Sequence, residues 1–418
     1  MIMVRRMRIT TTIAVRIITA NRRPRDLVVK TGFPRGKPVF FAQCFCWAGL
    51  GDPHQVIGHL LPRAIEGAAL SLVAALRAAS NGFDASLKDP NRLSNRSSEF
   101  KHCGENLNQI TIGVVGSGLM GVGIATQAAL HGYQTIVHDI DAGRLASVHG
   151  KAEAILDELI DAGVFNADDK QVVLSRIETT GQLERVATAG FIVEAIPEVL
   201  ELKNRTYRAL EPLLHKDAIF ASNTSGFPPD LLAQVLQNKA RFVIAHFWNP
   251  PHTIPLVEVV PGTETDPDVT RRTAELMTAI GMEPVVLTKA IPGFVGNRLQ
   301  FAVLREALAI VRSGAATPEV VDTVMKASLG RRYGVVGPLE SADLGGLDTL
   351  LDIGSHLMPE LAKDEDVLQL MRDHVQKGRV GVRSGQGFYE WDSAHHSRVK
   401  QGRKRLIHHT AKKTGKHS

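Results

Sequence analysis

A glycine-rich turn between a short apolar strand and a helix constrains the fold of this chain more than any other feature. The run ITIGVV at 110–115 is rich in β-branched residues and is typical of a buried parallel strand. A helix opens directly after it with Gly116, Ser117, Gly118, Leu119, Met120 and Gly121. In such a turn the first glycine permits a tight bend, the second lets the backbone approach a pyrophosphate, and the third lets helix and strand pack closely. The pattern predicts that these glycines, with Leu119 and Met120, bind a dinucleotide at the positive end of the helix.

An acidic residue at the end of the next strand supports this interpretation. Asp139 ends the segment QTIVHD, 23 residues after Gly116. A carboxylate in this place accepts hydrogen bonds from a ribose 2′-hydroxyl and repels a 2′-phosphate. Because no arginine follows Asp139 directly, the sequence predicts NAD rather than NADP as the cofactor. A glycine-rich turn without a ligand is the alternative, and the surrounding strand, helix and acid argue against it.

Strand-like and helix-like segments alternate after the turn, which predicts a parallel sheet with helices on both faces. The strand-like segments are QTIVHD, FIVEAIP, AIFASN, RFVIAHF, LVEVV and EPVVLT. From Pro292 onward amphipathic helices replace the strands, as in FVGNRLQFAVLREALAIVRSG. The predicted fold class is therefore an α/β Rossmann-type dinucleotide-binding domain at 108–291, followed by an all-α domain at 292–392.

Both ends of the chain are basic, whereas the middle is acidic. Residues 1–109 contain 16 Lys and Arg against 7 Asp and Glu, and residues 393–418 contain 8 against none. Residues 110–392 contain 25 Lys and Arg against 36 Asp and Glu. We predict that 1–107 is a disordered or non-native extension, with a targeting peptide and a small accessory element as the alternatives. One helical segment is predicted within it, at about 64–79, because Ala and Leu dominate there. The basic tail is predicted to be disordered, with polyanion binding as the alternative.

Composition also argues against several classes of protein. An acidic body between two basic ends is not a nucleic-acid-binding fold with a basic face. No apolar stretch reaches the roughly 20 residues that a membrane-spanning helix needs. The three cysteines, Cys44, Cys46 and Cys103, are too few for a disulfide scaffold and contain no CxxC pair for zinc. We therefore predict no nucleic acid, no membrane and no metal as partners.

Six segments occur in the order seen in a known enzyme family. They are GVVGSGLMGVGIA, EAIPEVLELK, SNTSG, HFWNPP with LVEVV, PGFVGNRL and SGQGFY. On these segments, which span 108–392, the chain resembles the 3-hydroxyacyl-CoA dehydrogenases. The resemblance implies a Rossmann domain, a helical domain that forms a homodimer, and an active site in the cleft between them. It also implies NAD-dependent oxidation of a secondary alcohol to a ketone by a cytoplasmic enzyme of fatty acid metabolism.

The resemblance assigns catalytic roles to four side chains. It makes His246 the base that removes the hydroxyl proton and Glu258 its carboxylate partner. Ser225 would hydrogen-bond the substrate oxygen close to the nicotinamide, and Asn297 would polarise the developing carbonyl. These roles suit the chemistry, because histidine titrates near neutrality and a carboxylate fixes its tautomer. The alternatives are a structural histidine, and capping or loop-stabilising roles for Ser225 and Asn297.

Further positions match cofactor-binding residues of the family. They are Glu198, Lys203, Asn223, Ser225, Asn249 and Arg383. Arg383, in RSGQGFY, stands where the family usually has lysine, and a guanidinium is not a compact ammonium. His252, in NPPHTIP, is either a substrate contact or a surface residue.

The substrate is the least determined part of the resemblance. Classical members carry a serine and several lysines after the second strand, and these hold the adenosine phosphate of CoA. This chain has AEAILDELIDAGVFNADDKQ at 152–171, an acidic segment that should repel phosphates. NPPHTIP and RYGVVGPLESADLGGLD also look like side branches that use no CoA, namely L-gulonate 3-dehydrogenase (lambda-crystallin), carnitine dehydrogenase and a pyridoxine-catabolic dehydrogenase. A 3-hydroxybutyryl-CoA-like substrate, a free hydroxy acid or aldehyde, and a non-catalytic NAD-binding protein therefore stay as alternatives.

Overall fold

The computed structural model describes residues 13–17, 25–28, 40–42, 110–363 and 366–413. The chain divides into two units, Met1–Arg92 and Leu93–Ser418, each described by itself. In the first unit, strand β1 (Ile13–Ile17) pairs antiparallel with β2 (Arg25–Val28) and parallel with β3 (Phe40–Ala42). The helix predicted at about 64–79 lies outside the described residues, and a disordered or non-native extension stays a prediction.

A sheet of eight strands forms the core of the described part of the second unit, in the order β11-β10-β9-β8-β7-β4-β5-β6. The strands are β4 (Ile112–Val115), β5 (Thr135–His138), β6 (Ile177–Thr180), β7 (Phe191–Glu194), β8 (Ile219–Ser222), β9 (Phe242–Phe247), β10 (Leu256–Pro261) and β11 (Glu283–Val286). Neighbours run parallel except for β9 and β10, which are antiparallel. Strands β4 to β9 have the doubly wound Rossmann order, which confirms the predicted fold class.

Helices cover both faces of this sheet. They are α1 (Leu119–Leu130), α2 (Ala142–Ala146), α3 (Val148–Asp161), α4 (Lys170–Leu174), α5 (Leu183–Val186), α6 (Leu200–Leu210), α7 (Pro229–Ala233) and α8 (Pro267–Ala279). The side chains of Ile112 and Val114 join the core on one face, and Val115 joins the core on the other, because successive strand residues point to opposite sides. Every residue of β4 is buried, as its β-branched run predicts. Strand β6 is not predicted by the sequence, because it is a short edge strand in which only Ile177 is buried and so carries little apolar signal.

From Gly296 onward the described secondary structure is helical, as predicted. The helices are α9 (Gly296–Arg312), α10 (Pro318–Ala327), α11 (Leu329–Arg332), α12 (Pro338–Gly345), α13 (Leu347–Leu357), α14 (Leu368–Gln376) and α15 (Ser393–Lys413). Many of their apolar side chains are exposed, with Leu339 at 83% and Leu351 at 71%. Within the described ranges, no helix combines the length and the apolar character that crossing a bilayer requires.

The prediction of a disordered tail is wrong for the part that the structure describes. Residues Ser393–Lys413 form helix α15, which lies against α3. Ile407 is buried in the core of the Rossmann region, Lys400 pairs with Asp161 at 3.4 Å, and Arg403 pairs with Glu158 at 3.4 Å. The physical reason is complementarity, since the basic tail meets the acidic segment of α3. Charge composition alone does not reveal such a contact between distant parts of a chain.

Candidate active site

Backbone geometry makes glycine necessary at two positions of the glycine-rich turn. Gly116 has a φ of 109°, and a Cβ there would lie 2.7 Å from the carbonyl oxygen of Ala195. A Cβ on Gly121 would lie 1.8 Å from the carbonyl oxygen of Gly116. At Gly118, in contrast, an added Cβ meets no atom of the described residues within 4 Å. The turn is therefore closely packed at Gly116 and Gly121, on the side of α1, and open on the side that Gly118 faces.

The open side of the turn has the chemistry that a dinucleotide requires. No described side chain caps the start of α1, so the first backbone N–H groups of this helix are available to a pyrophosphate. Leu119 at this start is 67% exposed, and Met120 is partly buried. The free N–H groups and the space in front of Gly118 fit the predicted cofactor.

Asp139 is tied to the same turn. Its Oδ2 accepts hydrogen bonds from the backbone N–H of Ser117 at 2.9 Å and from the Ser117 hydroxyl at 2.7 Å. Its Oδ1 accepts one from the backbone N–H of Asp141 at 3.0 Å. Burial acts to raise the pKa of Asp139, but these hydrogen bonds and the charge of Arg144 outweigh it and lower the pKa. Asp139 is thus an ionised acceptor beside the turn, as binding of a ribose hydroxyl requires.

An antiparallel pair of strands places a histidine opposite a glutamate. His246 on β9 is in register with Glu258 on β10. The imidazole Nδ1 lies 2.9 Å from Oε2 of Glu258, and Nε2 lies 3.1 Å from the hydroxyl of Ser225. Both side chains are buried, the histidine at 4% exposure and the glutamate at 1%. The carboxylate therefore orients the ring so that Nε2 faces Ser225.

Glu258 also joins the sheet to the helical region. Its Oε1 accepts hydrogen bonds from the backbone N–H groups of Val295 and Gly296, at 2.9 and 3.0 Å, where α9 begins. Burial acts to raise the pKa of Glu258, but the hydrogen bonds from His246, from these two N–H groups and from Trp248 together lower it. The result is a buried carboxylate that stays ionised and can stabilise a positive imidazolium.

Ser225, which follows β8, also contacts Asn297 and Glu198. The amide Nδ2 of Asn297 donates to the Ser225 carbonyl oxygen at 3.1 Å, and Oε1 of Glu198 accepts from the Ser225 backbone N–H at 3.1 Å. Glu198 also accepts a hydrogen bond from the Thr224 hydroxyl. The structure thus brings together all four predicted catalytic side chains and Glu198.

A cleft opens beside Ser225 and runs along α9. Its volume is about 760 Å³, within the range of small-molecule sites. Glu198, Ser225 and Asn297 line one end, and Arg305 and Lys363 line it farther along. His246 is buried and is not among the described lining residues, but its Nε2 contacts the hydroxyl of Ser225, which is one of them. A histidine held by a carboxylate in this position can take a proton from an alcohol bound beside Ser225.

Two family models match the chain in consecutive segments. The 3-hydroxyacyl-CoA dehydrogenase NAD-binding domain matches residues 111–291, and the 3-hydroxyacyl-CoA dehydrogenase C-terminal domain matches residues 293–391. The chain belongs to the 3-hydroxyacyl-CoA dehydrogenase family. This confirms the resemblance seen in the sequence, and it makes the protein an NAD-dependent oxidoreductase of the 3-hydroxyacyl-CoA dehydrogenase type.

Relatives within this dehydrogenase family carry different substrate names. The chain is 33% identical over 281 residues to a 5-formyl-3-hydroxy-2-methylpyridine 4-carboxylate 5-dehydrogenase of Mesorhizobium japonicum, covering 66% of this chain and 89% of the relative. It is 38% identical over 280 residues to a probable 3-hydroxybutyryl-CoA dehydrogenase of Deinococcus radiodurans, covering 67% and 99%. A solved structure of a 5-formyl-3-hydroxy-2-methylpyridine 4-carboxylic acid 5-dehydrogenase, described as an NAD-dependent dismutase, aligns with a TM-score of 0.66 at 29% identity, covering 74% of this chain and all of that one.

One buried network in this family member is only partly visible in the sequence. Lys203 is 1% exposed, and its ammonium pairs with Glu194 at 2.7 Å and with Glu198 at 3.2 Å. Glu194 also accepts hydrogen bonds from the hydroxyls of Tyr207 at 2.6 Å and Ser222 at 2.7 Å. The sequence motifs indicate Lys203 and Glu198 but not Glu194, Tyr207 or Ser222. The sequence does contain one signal for this network, because Glu194 ends the FIVE segment of β7. Ligand sites in folds of this kind lie at the carboxyl ends of the parallel strands.

The remaining predicted cofactor residues differ in their placement. Asn223 accepts a hydrogen bond from the Phe247 backbone N–H at 2.8 Å and so links the ends of β8 and β9. Asn249 is exposed and precedes a cis peptide bond to Pro250. Arg383 lies in an exposed turn, and the cleft lining does not include it among the described residues, so its cofactor role stays a prediction. Nowhere in the described ranges do three or more His, Cys, Asp or Glu side chains gather in a way that could hold a metal ion.

His252 belongs neither to the surface nor to the cleft lining. Its side chain is 6% exposed, and its Nε2 lies 3.1 Å from Oε2 of Glu158 on α3. Glu158 is also the carboxylate that pairs with Arg403 of the tail helix. Burial lowers the pKa of His252, although the contact with Glu158 opposes that shift. This histidine therefore connects the loop after His246 to the contact between α3 and α15.

Proposed function

We propose that this protein oxidises the secondary hydroxyl group of a small 3-hydroxyacyl or hydroxy acid substrate to a ketone, with His246 as the base. The observation that carries the proposal is the position of the His246 imidazole between the Glu258 carboxylate and the Ser225 hydroxyl. A protein that binds NAD only for a structural role needs no such pair beside an open cleft. The non-catalytic alternative is therefore set aside.

The proton is handled by this chain's own side chains. Because the Glu258 carboxylate accepts a hydrogen bond from Nδ1 of His246, Nε2 is left as the acceptor for the substrate proton. The substrate oxygen would lie against Nε2 and the Ser225 hydroxyl, with the Asn297 amide nearby to stabilise the carbonyl that forms. The positive charge that His246 then carries is stabilised by Glu258, which is itself held by the first N–H groups of α9.

The residues that would hold NAD are those of the glycine-rich turn together with Asp139. Glu198, Asn223 and Asn249 are proposed to position it near Ser225, and buried Lys203 is proposed to act through Glu198. When bound, NAD supplies the acceptor for the hydride that leaves the carbinol carbon. The closed packing behind Gly121 and the ionised Asp139 support this assignment.

We also propose a homodimer formed through the helical region. The support is the amount of exposed apolar surface there, for example at Leu344 and Met358, which are 77% and 69% exposed. Patches of this kind mark surfaces that a partner covers. A cytoplasmic location and a role in fatty acid metabolism stay predictions from the resemblance.

The proposed reaction is tested by following NADH absorbance with a panel of hydroxy acids and hydroxyacyl-CoA thioesters. His246→Gln should reduce kcat by roughly 10²–10⁴-fold, the usual contribution of a positioned general base, and leave NAD binding nearly unchanged. Glu258→Gln should have a similar effect because an amide cannot stabilise the imidazolium. The two losses should not add, since the pair acts as a unit. Full activity in His246→Gln would overturn the assignment.

A further inference from the structure

One face of helix α9 connects the catalytic residues to a cluster of positive charge. Asn297, Phe301 and Arg305 are spaced four residues apart, so they lie one above the other along the helix. All three line the cleft that begins at Ser225. Leu308, one turn beyond Arg305, is 3% exposed. The cleft therefore leads from the reacting end, along an apolar stretch at Phe301, to a guanidinium.

Among the described residues that line this cleft, positive charges outnumber negative ones. Three described cations line it, Arg298, Arg305 and Lys363, against one carboxylate, Glu198. That carboxylate already accepts hydrogen bonds from Thr224 and from backbone N–H groups, and it pairs with Lys203.

Arg305 differs from the other two cations. The guanidinium of Arg298 donates to the Pro292 carbonyl oxygen at 3.4 Å, and the Lys363 ammonium donates to the Pro359 carbonyl oxygen at 2.9 Å. Arg305 makes no hydrogen bond or ion pair with any residue that the structure describes. Arg305 is exposed in this cleft, and its guanidinium has the planar fork of donors that matches a carboxylate.

The distance between Asn297 and Arg305 along α9 limits the length of a substrate that carries this anionic group. Eight residues separate Asn297 from Arg305, which places their Cα atoms about 12 Å apart at 1.5 Å per residue. Because helical side chains lean toward the N-terminus, we expect the Arg305 side chain to extend toward Asn297 rather than away from it. On this geometry, an anionic group at Arg305 would belong to a short molecule whose carbinol carbon lies beside Ser225.

We propose that Arg305 determines specificity by binding the carboxylate of a small free hydroxy acid, with Arg298 and Lys363 raising the local positive potential. The proposal rests on the proposed function, because it assumes that the hydroxyl lies at His246. A phosphate of CoA is the other source of an anion, but the long pantetheine arm separates it from the acyl group. The short span between Asn297 and Arg305 therefore favours the carboxylate.

The acidic segment of α3 points in the same direction. Asp161 and Glu158 there are already paired with Lys400 and Arg403 of α15, so this surface offers carboxylates and a packed helix rather than free cations. The cationic cleft thus favours a free carboxylate, whereas the acidic surface of α3 disfavours the phosphates of CoA.

The test compares each acid with an uncharged counterpart. The free acids are 3-hydroxybutyrate and L-gulonate, and the uncharged probes are methyl 3-hydroxybutyrate and L-gulono-1,4-lactone. The CoA probe is 3-hydroxybutyryl-CoA. Steady-state kinetics are measured for the wild type, Arg305→Gln and Arg305→Lys. Arg312→Gln, on the same helix but outside the cleft lining, is the matched control, and thermal unfolding checks that each variant folds.

Arg305→Gln should raise KM for a free acid roughly 10–100-fold, as loss of a charge-assisted hydrogen-bond pair does, with kcat little changed. Arg305→Lys should retain part of the affinity, and Arg312→Gln should match the wild type. KM for the ester, the lactone and the thioester should not move. An equal effect on acid and ester, an effect on the thioester alone, or wild-type turnover of the thioester alone would overturn the inference.

A separate binding measurement distinguishes this inference from the proposed function. If the wild type oxidises none of the probes, the proposed function fails, and calorimetric titration of acetoacetate into the NADH-loaded protein then decides on Arg305. Binding that is lost in Arg305→Gln supports the carboxylate site. Absent or unchanged binding overturns it.

Discussion

The Rossmann region and the helical region of this protein differ in how they bury apolar side chains. In the Rossmann region whole strands are buried, and β4, β5, β7 and β8 have no exposed residue. In the helical region the described helices from α10 to α14 contain no buried residue. The first region is complete as a core within one chain, whereas the exposed apolar surface of the second is what the proposed homodimer would cover.

The strictest test of the Rossmann region is the pair of glycines at 118 and 121. Gly121→Ala should cost about 3 kcal/mol of unfolding free energy and abolish NAD binding, because its Cβ would overlap the Gly116 carbonyl oxygen. Gly118→Ala should fold normally, since its Cβ meets no atom within 4 Å in the part of the chain that the structure describes, and should weaken only NAD binding. Urea unfolding and NAD titration measure both. Equal stability of the two variants would show that the turn is not as closed as described.

Ile407 is the exception that sharpens the comparison, because it lies on the last described helix but is buried with the Rossmann core at 2% exposure. Ile407→Ala should lower the unfolding free energy by about 2 kcal/mol through loss of packing. Leu406→Ala, at 44% exposure, is the matched control and should have little effect. Urea unfolding compares the two, and indistinguishable variants would mean that α15 is not docked on α3.

A charged substitution tests whether the exposed apolar surface of the helical region forms the proposed homodimer. Leu351→Asp on α13 should weaken a homodimer by roughly tenfold or more, as substitutions of central interface residues do. Val172→Asp on α4 is the control, because Val172 is an exposed apolar residue of the Rossmann region at 50% exposure. Analytical ultracentrifugation over a concentration series gives the dissociation constants. A wild-type protein that stays monomeric at all concentrations would contradict the proposed homodimer.

The sequence predicts the parts of this molecule that depend on local pattern. The glycine turn, the strand before it and Asp139 follow a fixed spacing, and the antiparallel pairing of His246 with Glu258 follows from two adjacent strands. Ordered motifs therefore carry much of the candidate site. The contacts that the sequence does not predict join distant residues, such as Arg403 with Glu158, which are 245 positions apart. Arg305 was missed for a related reason, since an arginine on an amphipathic helix is usually solvated and only the fold shows that it faces a cleft.

The smallest effect that we expect is on the pH dependence of the unfolding free energy. One titrating group in each region contributes, Glu258 at acid pH and Tyr389 at alkaline pH. The folded pKa of Glu258 is lowered, so its contribution is present above its ordinary value near 4.5 and is lost as pH falls through the lowered pKa. In the helical region, burial and the hydrogen bond to Asp322 raise the pKa of Tyr389 to about 12. Its contribution is present below pH 10.0 and is lost as pH rises through the folded value.

These two groups are separated by matched variants. In urea unfolding measured as a function of pH, Glu258→Gln should flatten the acid side of the wild-type stability profile and leave the alkaline side unchanged. Tyr389→Phe should do the reverse, because phenylalanine keeps the ring and removes only the titrating hydroxyl. If both variants alter the same side of the pH profile, the assignment of the acid side to Glu258 and of the alkaline side to Tyr389 is wrong.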